Sequence, residues 1–399
     1  MGHQAGSAMA IAVNKAGGLG QVGSAGDMNV LREHLDAVQD ALPRHNGVLP
    51  VGVGFLPFIT KLEDALLVIE AYQPAVVWLF AAKETPDYVT WTSQIRALKA
   101  PVPQIWVQVG SVAAAVEIGK SCRPDVMSIQ GSDAGGHGYE KSAGIISLLP
   151  EVSDALSAAG LDSITLVAAG GITEARSAAA AFTLGAQGVV MGTRFLSSPE
   201  ALVHPLYRSA VLAASDGGTQ TAKAKLFDEL RGPNAWPNIY DGRCIVSESF
   251  MDHSAGVDID EIRRRHAEAV KMESQGFGVD GKGRAAMWAG TGVGLVRKEM
   301  GAGEIVEKVR RGVQQVLDSI SMLLGRDMVD KANTRAIRRW TLCPQRLNAV
   351  TYIVIIKSII YLYMNLRRSI SLTFHIAAVR SRLPDLPVGM YSGVFNAID

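Results

Sequence analysis

The sequence is poor in cysteine and almost without net charge. Its three cysteines, Cys122, Cys244 and Cys343, form no CxxC pair and no Cys/His ligand spacing, which argues against a disulfide framework and a structural zinc site. The 39 basic and 38 acidic residues leave a net charge of +1, so no global attraction to nucleic acid or acidic lipid is expected. We therefore predict a cytoplasmic protein with small-molecule partners, no nucleic-acid partner and no metal site.

Glycine is abundant, with 41 residues, and several glycines stand in short apolar runs that recur along the chain. Short apolar runs alternate with helical stretches between residues 16 and 195, and runs without polar alternation are typical of parallel strands buried on both faces. The pattern predicts an α/β fold, and the number of units favours a TIM-type (β/α)8 barrel over a doubly wound sheet, which stays the alternative. The seven runs are residues 18–23, 49–55, 75–80, 104–110, 125–131, 165–171 and 188–195.

An eight-stranded barrel needs one strand more than these seven, so we expect the first strand to be lacking. The alternation of apolar runs and helical stretches ends after residue 196. We therefore predict four segments. They are a barrel over 1–196, an inserted helical and loop subdomain that covers the site over 197–280, a closing segment with a C-terminal helix over 281–325, and a tail over 326–399. The tail is basic and hydrophobic and is interpreted as non-native sequence. Its residues 349–366 are long and apolar enough to raise a membrane anchor as the alternative.

Two glycine-rich segments follow neighbouring predicted strands. Residues 168–172 read AAGGI and include Gly170 and Gly171, whereas residues 191–195 read MGTRF and include Met191, Gly192 and Thr193. Glycine lets a phosphate approach the backbone, and a helix N-terminus after the turn offers free N–H groups. The two segments together predict a phosphate cradle to which Thr193 adds a hydroxyl.

The segment QGSDAGGHG, residues 130–138, follows the strand beside this cradle. Gln130 is expected at the strand end, where its amide can bind a cofactor. Gly135 and Gly136 would let the loop lie flat against a planar ligand, and His137 would project over that ligand. Histidine titrates near neutrality and suits a general base, so His137 is the candidate catalytic residue.

These segments, in this order, resemble the nitronate monooxygenase family, formerly called 2-nitropropane dioxygenases. Further similar segments are NKAGGLGQVG, WPNIYDGR and WAGTGVGLV, at residues 14–23, 236–243 and 288–296. The resemblance implies an FMN-dependent barrel oxidoreductase that oxidises alkyl nitronates, and in some members nitroalkanes, with O2 to a carbonyl compound and nitrite. It implies His137 as the catalytic base and the following flavin contacts: Gln130, Gly135, Gly136, Gly170, Gly171, Met191, Gly192, Thr193 and Gly54.

The sequence departs from the family pattern at one of these contacts and at one further position. Gly54 stands where many members carry asparagine, and Gln108 stands where many carry lysine. Two other functions stay open: an FMN-dependent enoyl-thioester reductase that uses a nicotinamide cofactor on the same barrel, and an inactive truncated barrel.

Overall fold

The computed structural model describes residue 2 and residues 4–23 and 26–324. Seven strands form one parallel sheet in the order β1-β2-β3-β4-β5-β7-β8, and three others form an antiparallel sheet in the order β6-β10-β9. The strands are β1 Gln21–Gly23, β2 Leu49–Phe55, β3 Pro74–Leu79, β4 Gln104–Val109, β5 Val126–Gln130, β6 Gly136–Tyr139, β7 Thr165–Ala169, β8 Gly188–Val190, β9 Thr221–Ala224 and β10 Tyr240–Ile245.

Helices connect and cover these strands. Those of the parallel sheet are α1 Ser7–Lys15, α2 Met28–Ala41, α3 Leu62–Tyr72, α4 Thr85–Arg96, α5 Val112–Cys122, α6 Ile145–Ala158 and α7 Ala175–Thr183. After β8 the chain adds α8 Pro205–Ala213, α9 Gly217–Gln220, α10 Leu226–Glu229, α11 Glu248–Ser254, α12 Ile259–Ala269 and α13 Ala302–Leu324, with 3-10 turns at Thr193–Ser197 and Thr291–Leu295.

The α/β fold and the seven parallel strands confirm the sequence prediction, because each predicted apolar run overlaps one strand of the large sheet. We call this sheet, with α1–α7 and α13, the barrel. Its last strand is shorter than the run that predicted it: β8 ends at Val190, and residues 193–197 form a 3-10 turn. Among the described residues, β1 and β8 pair with one neighbour each and not with one another.

The two faces of the barrel sheet differ because successive side chains of a strand point to opposite sides. In β4, Ile105, Val107 and Val109 are fully buried in the main core cluster together with side chains of the helices. Trp106 and Gln108 alternate with them and therefore lie on the inner face. Their neighbours in register are Trp78 of β3 and Ser128 of β5, so the inner face combines large aromatic and polar side chains.

Helix α13 packs against α1 and α7. Because α1 precedes β1 and α7 precedes β8, the two end strands of the sheet have their helices held by one element. Arg310 of α13 donates to the carbonyl of Ala16 at 2.7 Å. Gly312 allows a close helix crossing, since a Cβ there would lie 2.5 Å from that of Ala175.

The antiparallel sheet was not predicted from the sequence. Its strand β6 comes from the glycine-rich segment after β5, and it pairs with β10, which lies a hundred residues later, with Gly242 opposite His137. We call this sheet, with α10 beside it, the cap. A further prediction, the division of residues 1–325 into three segments, stays a prediction.

The predicted tail, residues 326–399, and the candidate anchor within it, residues 349–366, lie outside the described residues. Within the described part of the chain, no helix combines the length and the apolar character that a membrane crossing requires.

Candidate active site

The carboxyl ends of β5, β7 and β8 carry most of the residues that the sequence singled out. Gln130 is the last residue of β5, Gly170 and Gly171 follow β7, and Gly192 and Thr193 follow β8. These strands are neighbours in the sheet. The five positions therefore share the edge at which sites of parallel barrels form.

The glycine turns after β7 and β8 carry backbone amides without a protein partner. Gly170 has φ +101° and Gly171 φ +71°, conformations that glycine adopts at little cost. The N–H groups of Gly170, Gly171 and Gly192 donate to no backbone or side-chain acceptor within the described residues. A Cβ at Gly192 would meet no atom within 4 Å. Unpartnered amides of two neighbouring glycine turns suit an anion such as a phosphate.

Two amides at the start of α7 are bound within the helix start itself. Glu174 and Ser177 form a capping box, and the Ser177 hydroxyl accepts the N–H groups of Thr173 at 3.2 Å and Glu174 at 3.3 Å. These donors are satisfied within the helix start. The amides of Thr173 and Glu174 are therefore not donors for this cradle, whereas the glycine amides of the two turns are unpartnered.

A segment from the far end of the chain crosses these strand ends. We call residues 288–292 the strap. The N–H of Gly290 donates to the Thr193 hydroxyl at 2.9 Å, and the Thr291 hydroxyl donates to Asp133 Oδ1 at 2.9 Å. The strap thus ties the segment after β5 to the end of β8, and the Thr193 oxygen already has one protein partner.

The two glycines before His137 have different surroundings. A Cβ at Gly135 would collide with the backbone of Ala289 and Gly290 in the strap, whereas a Cβ at Gly136 would meet no atom within 4 Å. Gly135 is therefore needed where two backbones cross, an explanation that the sequence did not predict. Gly136, with φ +76°, lies beside open space.

The inner face of β5 ends in polar atoms without partners. Gln130 is buried, and its Nε2 donates to the carbonyl of His137 at 3.0 Å. Its Oε1, and the hydroxyl of fully buried Ser128 two residues earlier, have no hydrogen-bond partner in the described structure. Since buried polar groups are normally paired, these two oxygens mark a place where a polar ligand fits.

Two predicted flavin contacts lie away from this cluster. Gly54 is buried near the carboxyl end of β2, opposite Trp78 of β3, and β2 is three strands from β5. Met191 directly follows β8 and packs, partly buried, against the main core. Both positions lie at the carboxyl edge of the sheet, but on strands that are far apart in it.

His137 is held from three directions. Its Nε2 lies 2.6 Å from Asp228 Oδ1, its ring stacks on Trp236 with centroids 3.6 Å apart and planes 9° apart, and Trp288 lies tilted at 4.5 Å. The side chains of His137 and Asp228 are 16% and 7% exposed. The imidazole is therefore fixed in position and mostly dry, as a group that moves protons requires.

The positions of these neighbours around His137 were not predicted from the sequence. Trp236 and Trp288 stand in segments that carried the family resemblance, but neither was given a role. Asp228 lies 91 residues from His137 in a helix of four residues. No local spacing could have linked the two, because the contact depends on the fold of the cap.

A buried tyrosine cluster joins the cap to the barrel. Tyr139 of β6 and Tyr240 of β10 meet edge to face at 5.2 Å, and Tyr88 of α4 is buried beside them. Burial raises the pKa of Tyr139 to about 12. Burial, and then the neighbouring hydroxyls of Tyr88 and Tyr139, raise the pKa of Tyr240 far above its usual value. The three phenols are neutral at physiological pH.

A family model and a curated relative that match this chain carry the same family description. The family model described as nitronate monooxygenase matches residues 51–312. The nitronate monooxygenase npaC of Metarhizium robertsii is 41% identical over 325 residues, which cover 79% of this chain and 89% of the relative.

Solved structures show the same fold at lower identity. FabK from Thermotoga maritima aligns with TM-score 0.61 and 23% identity, over 81% of this chain and 93% of FabK. The nitroalkane oxidase from Streptomyces ansochromogenes aligns with TM-score 0.61 and 20% identity, over 80% of this chain and 95% of that one. At these identities the two structures are evidence for the fold alone.

Proposed function

The chain belongs to the nitronate monooxygenase family, and we propose on this basis that it oxidises alkyl nitronates with O2, using FMN, to a carbonyl compound and nitrite. Two nitronate anions and one O2 balance as two carbonyl compounds and two nitrite anions. The net reaction therefore needs no external reductant. Alkyl nitronates are the substrate class, and neutral nitroalkanes join it where a base removes the α-proton.

The observation that carries this proposal is the position of His137. The cap sets a mostly dry imidazole beside the strand ends that bear the free glycine amides, and Gln130 connects the two through its hydrogen bond to the His137 carbonyl. A base next to an anion cradle suits a cofactor enzyme in which the protein supplies orientation and electrostatics.

The residues present fit a flavin mononucleotide. The amides of Gly170, Gly171 and Gly192 would hold the phosphate, with the remaining hydrogen-bonding capacity of Thr193. The unpartnered oxygens of Gln130 and Ser128 would accept hydrogen bonds from the polar edge of the ring system. When bound, the flavin supplies the electron transfer between nitronate and O2.

His137 is proposed as the general base for neutral nitroalkanes. A preformed nitronate has already lost the α-proton, so it does not need this step. Stacked Trp236 and tilted Trp288 shield part of the ring from water. The two substrates therefore separate the role of His137 from the rest of the reaction.

The decisive experiment combines a spectrum with two assays. Purified protein is expected to show flavin absorption in stoichiometric amount and to form nitrite from an alkyl nitronate without NAD(P)H. Consumption of NAD(P)H driven by an enoyl thioester, without nitrite, would instead identify the reductase alternative. Folded protein that binds no added FMN would identify the inactive barrel.

The matched variants are His137→Asn and His253→Asn, the second on the exposed surface of α11. We expect His137→Asn to keep its flavin and to lose activity on a neutral nitroalkane by about 100-fold or more, with far less loss on the preformed nitronate. His253→Asn should match the wild type. Equal losses on both substrates would show that His137 is not the carbon base.

A further inference from the structure

Among the described residues, the Asp228 side chain forms a hydrogen bond with His137 alone. Its Oδ1 meets His137 Nε2 at 2.6 Å, and its Oδ2 has no hydrogen bond within the described residues. The carboxyl group is 7% exposed. An ionised carboxylate only accepts hydrogen bonds, so Nε2 carries a hydrogen and the carboxylate directs its charge to one imidazole.

Within the described residues, no Lys or Arg side chain forms an ion pair with this carboxylate. Of the basic residues near it in sequence, Lys225 pairs with Glu140 at 3.2 Å, and Lys223 pairs with buried Asp241 at 2.9 Å. The thiol of Cys244 also faces Asp228. Burial raises the pKa of that thiol well above its usual value, and the charge of Asp228 adds to the effect, so the thiol stays neutral.

The second ring nitrogen of His137 is left for another molecule. Within the described part of the chain, Nδ1 takes part in no hydrogen bond, while Nε2 is held by Asp228 and one ring face is covered by Trp236. A neutral imidazole with its hydrogen on Nε2 has its acceptor lone pair on Nδ1. The ring is thus fixed in rotation and in tautomer.

We propose that Asp228 positions His137 for proton abstraction, with Nδ1 as the atom that receives the proton. This inference rests on the proposed function and specifies its first step for neutral nitroalkanes. The α C–H bond breaks, its electron pair becomes part of the C=N bond of the nitronate, and the proton forms a bond to Nδ1. No electron is transferred, and the resulting imidazolium is paired with the Asp228 carboxylate.

Asp228→Asn tests this step in the full-length holoenzyme. An asparagine of the same shape can donate its amide to Nε2, which moves the imidazole hydrogen to Nδ1 and removes the acceptor. We expect the kcat/KM for a neutral nitroalkane to fall by about 100-fold or more, while turnover of the preformed nitronate stays near the wild-type value. The control is Glu229→Gln, the adjacent residue of α10, which should change neither.

A second measurement does not depend on turnover. In protein labelled with 15N-histidine, the His137 signals, assigned by their loss in His137→Asn, report which ring nitrogen bears the hydrogen. The proposal expects it on Nε2 in the wild type and on Nδ1, or shared, in Asp228→Asn. A wild-type hydrogen on Nδ1 would overturn it, even if the variant does not fold.

The outcomes also separate this inference from the proposed function. If the wild type oxidises neither substrate, the proposed function fails, and the 15N spectra still decide the ring assignment. If the wild type oxidises nitronates but not nitroalkanes, or if Asp228→Asn loses both activities equally, the positioning role is wrong and the family activity stands.

Discussion

The barrel and the cap contribute to the candidate site in different ways. The barrel offers backbone groups, chiefly the amides of Gly170, Gly171 and Gly192 at the ends of two neighbouring strands. The cap offers side chains, above all His137 with Asp228 and Trp236 around it. Binding through amides depends on the course of the backbone, whereas proton transfer depends on the placement of single atoms.

This difference has a consequence for mutation. A backbone site is disturbed by adding a side chain where none fits, and a side-chain site is disturbed by removing one or moving its neighbours. If the division is correct, barrel variants change cofactor binding first, and cap variants change the proton step while the cofactor stays bound.

The largest effect is expected from Gly171→Asp in the barrel. The new carboxylate would enter beside Asp133, since a Cβ at Gly171 lies 3.2 Å from the Asp133 Cβ, and it would repel a phosphate in the cradle. FMN affinity should fall by at least about 100-fold, or about 3 kcal/mol. Flavin content after gel filtration and titration with FMN measure this change.

The control for that variant is Gly160→Asp. Gly160 has nearly the same conformation, with φ +70° against +71°, and no atom within 4 Å of its Cβ position, so it carries the same backbone strain away from the site. Stoichiometric flavin in Gly171→Asp, or equal loss in both variants, would disprove the cradle.

A smaller effect is expected where the cap meets the barrel. Tyr139 has a pKa of about 12 against an ordinary value of 10 because burial disfavours the phenolate. The contribution of Tyr139 to the free energy of unfolding is fully present below pH 10 and is lost as the pH rises through 12. In this window Tyr139 of the unfolded chain loses its proton before Tyr139 of the folded protein does, and this favours unfolding. Tyr139 alone should lower the free energy of unfolding by about 2–3 kcal/mol over this window.

In Tyr139→Phe the free energy of unfolding should fall less between pH 10 and 12 than in the wild type. Urea titrations at several pH values measure this difference. Absorbance of phenolate near 295 nm shows when the tyrosines ionise. A free energy of unfolding that falls equally steeply in wild type and variant would mean that Tyr139 does not hold the cap on the barrel.

The smallest effect is expected from Gly242→Ala within the cap. A Cβ at this position would collide with the ring of Trp288, which lies beside His137. We expect a loss of about 1–2 kcal/mol in stability from overpacking and weaker activity on nitroalkanes, with flavin binding unchanged. Gly218→Ala is the control, because its nearest atom would be at 3.4 Å. Loss of flavin in Gly242→Ala alone would contradict the division between barrel and cap.

The barrel could be predicted because each of its strands and glycine turns corresponds to a short, continuous segment of the sequence. Runs such as residues 104–110 and 165–171 each coincide with one strand, and strand order along the chain is nearly strand order in the sheet. The glycine turns at 170–171 and 192 could be placed for the same reason. The capping box of Glu174 and Ser177 is local too, but a helix start alone does not reveal whether its amides are satisfied.

The cap was not predictable because its contacts are distant in sequence. Gly136–Tyr139 is too glycine-rich to be recognised as a strand, and its partner β10 begins at Tyr240. The role of Gly135 depends on the strap, which comes 150 residues later. Asp228 had no recognisable spacing to His137. Side-chain sites assembled across such separations require the three-dimensional structure.

The position of α13 sets an order for synthesis on the ribosome. Strand β8 ends at Val190, and α13, which fastens the helices of both end strands, begins at Ala302. At about 5–20 residues per second, roughly ten seconds pass between the two. During that time α13 does not yet hold the helices of β1 and β8 together, so the two halves of the sheet are free to separate and their edges can pair with other chains.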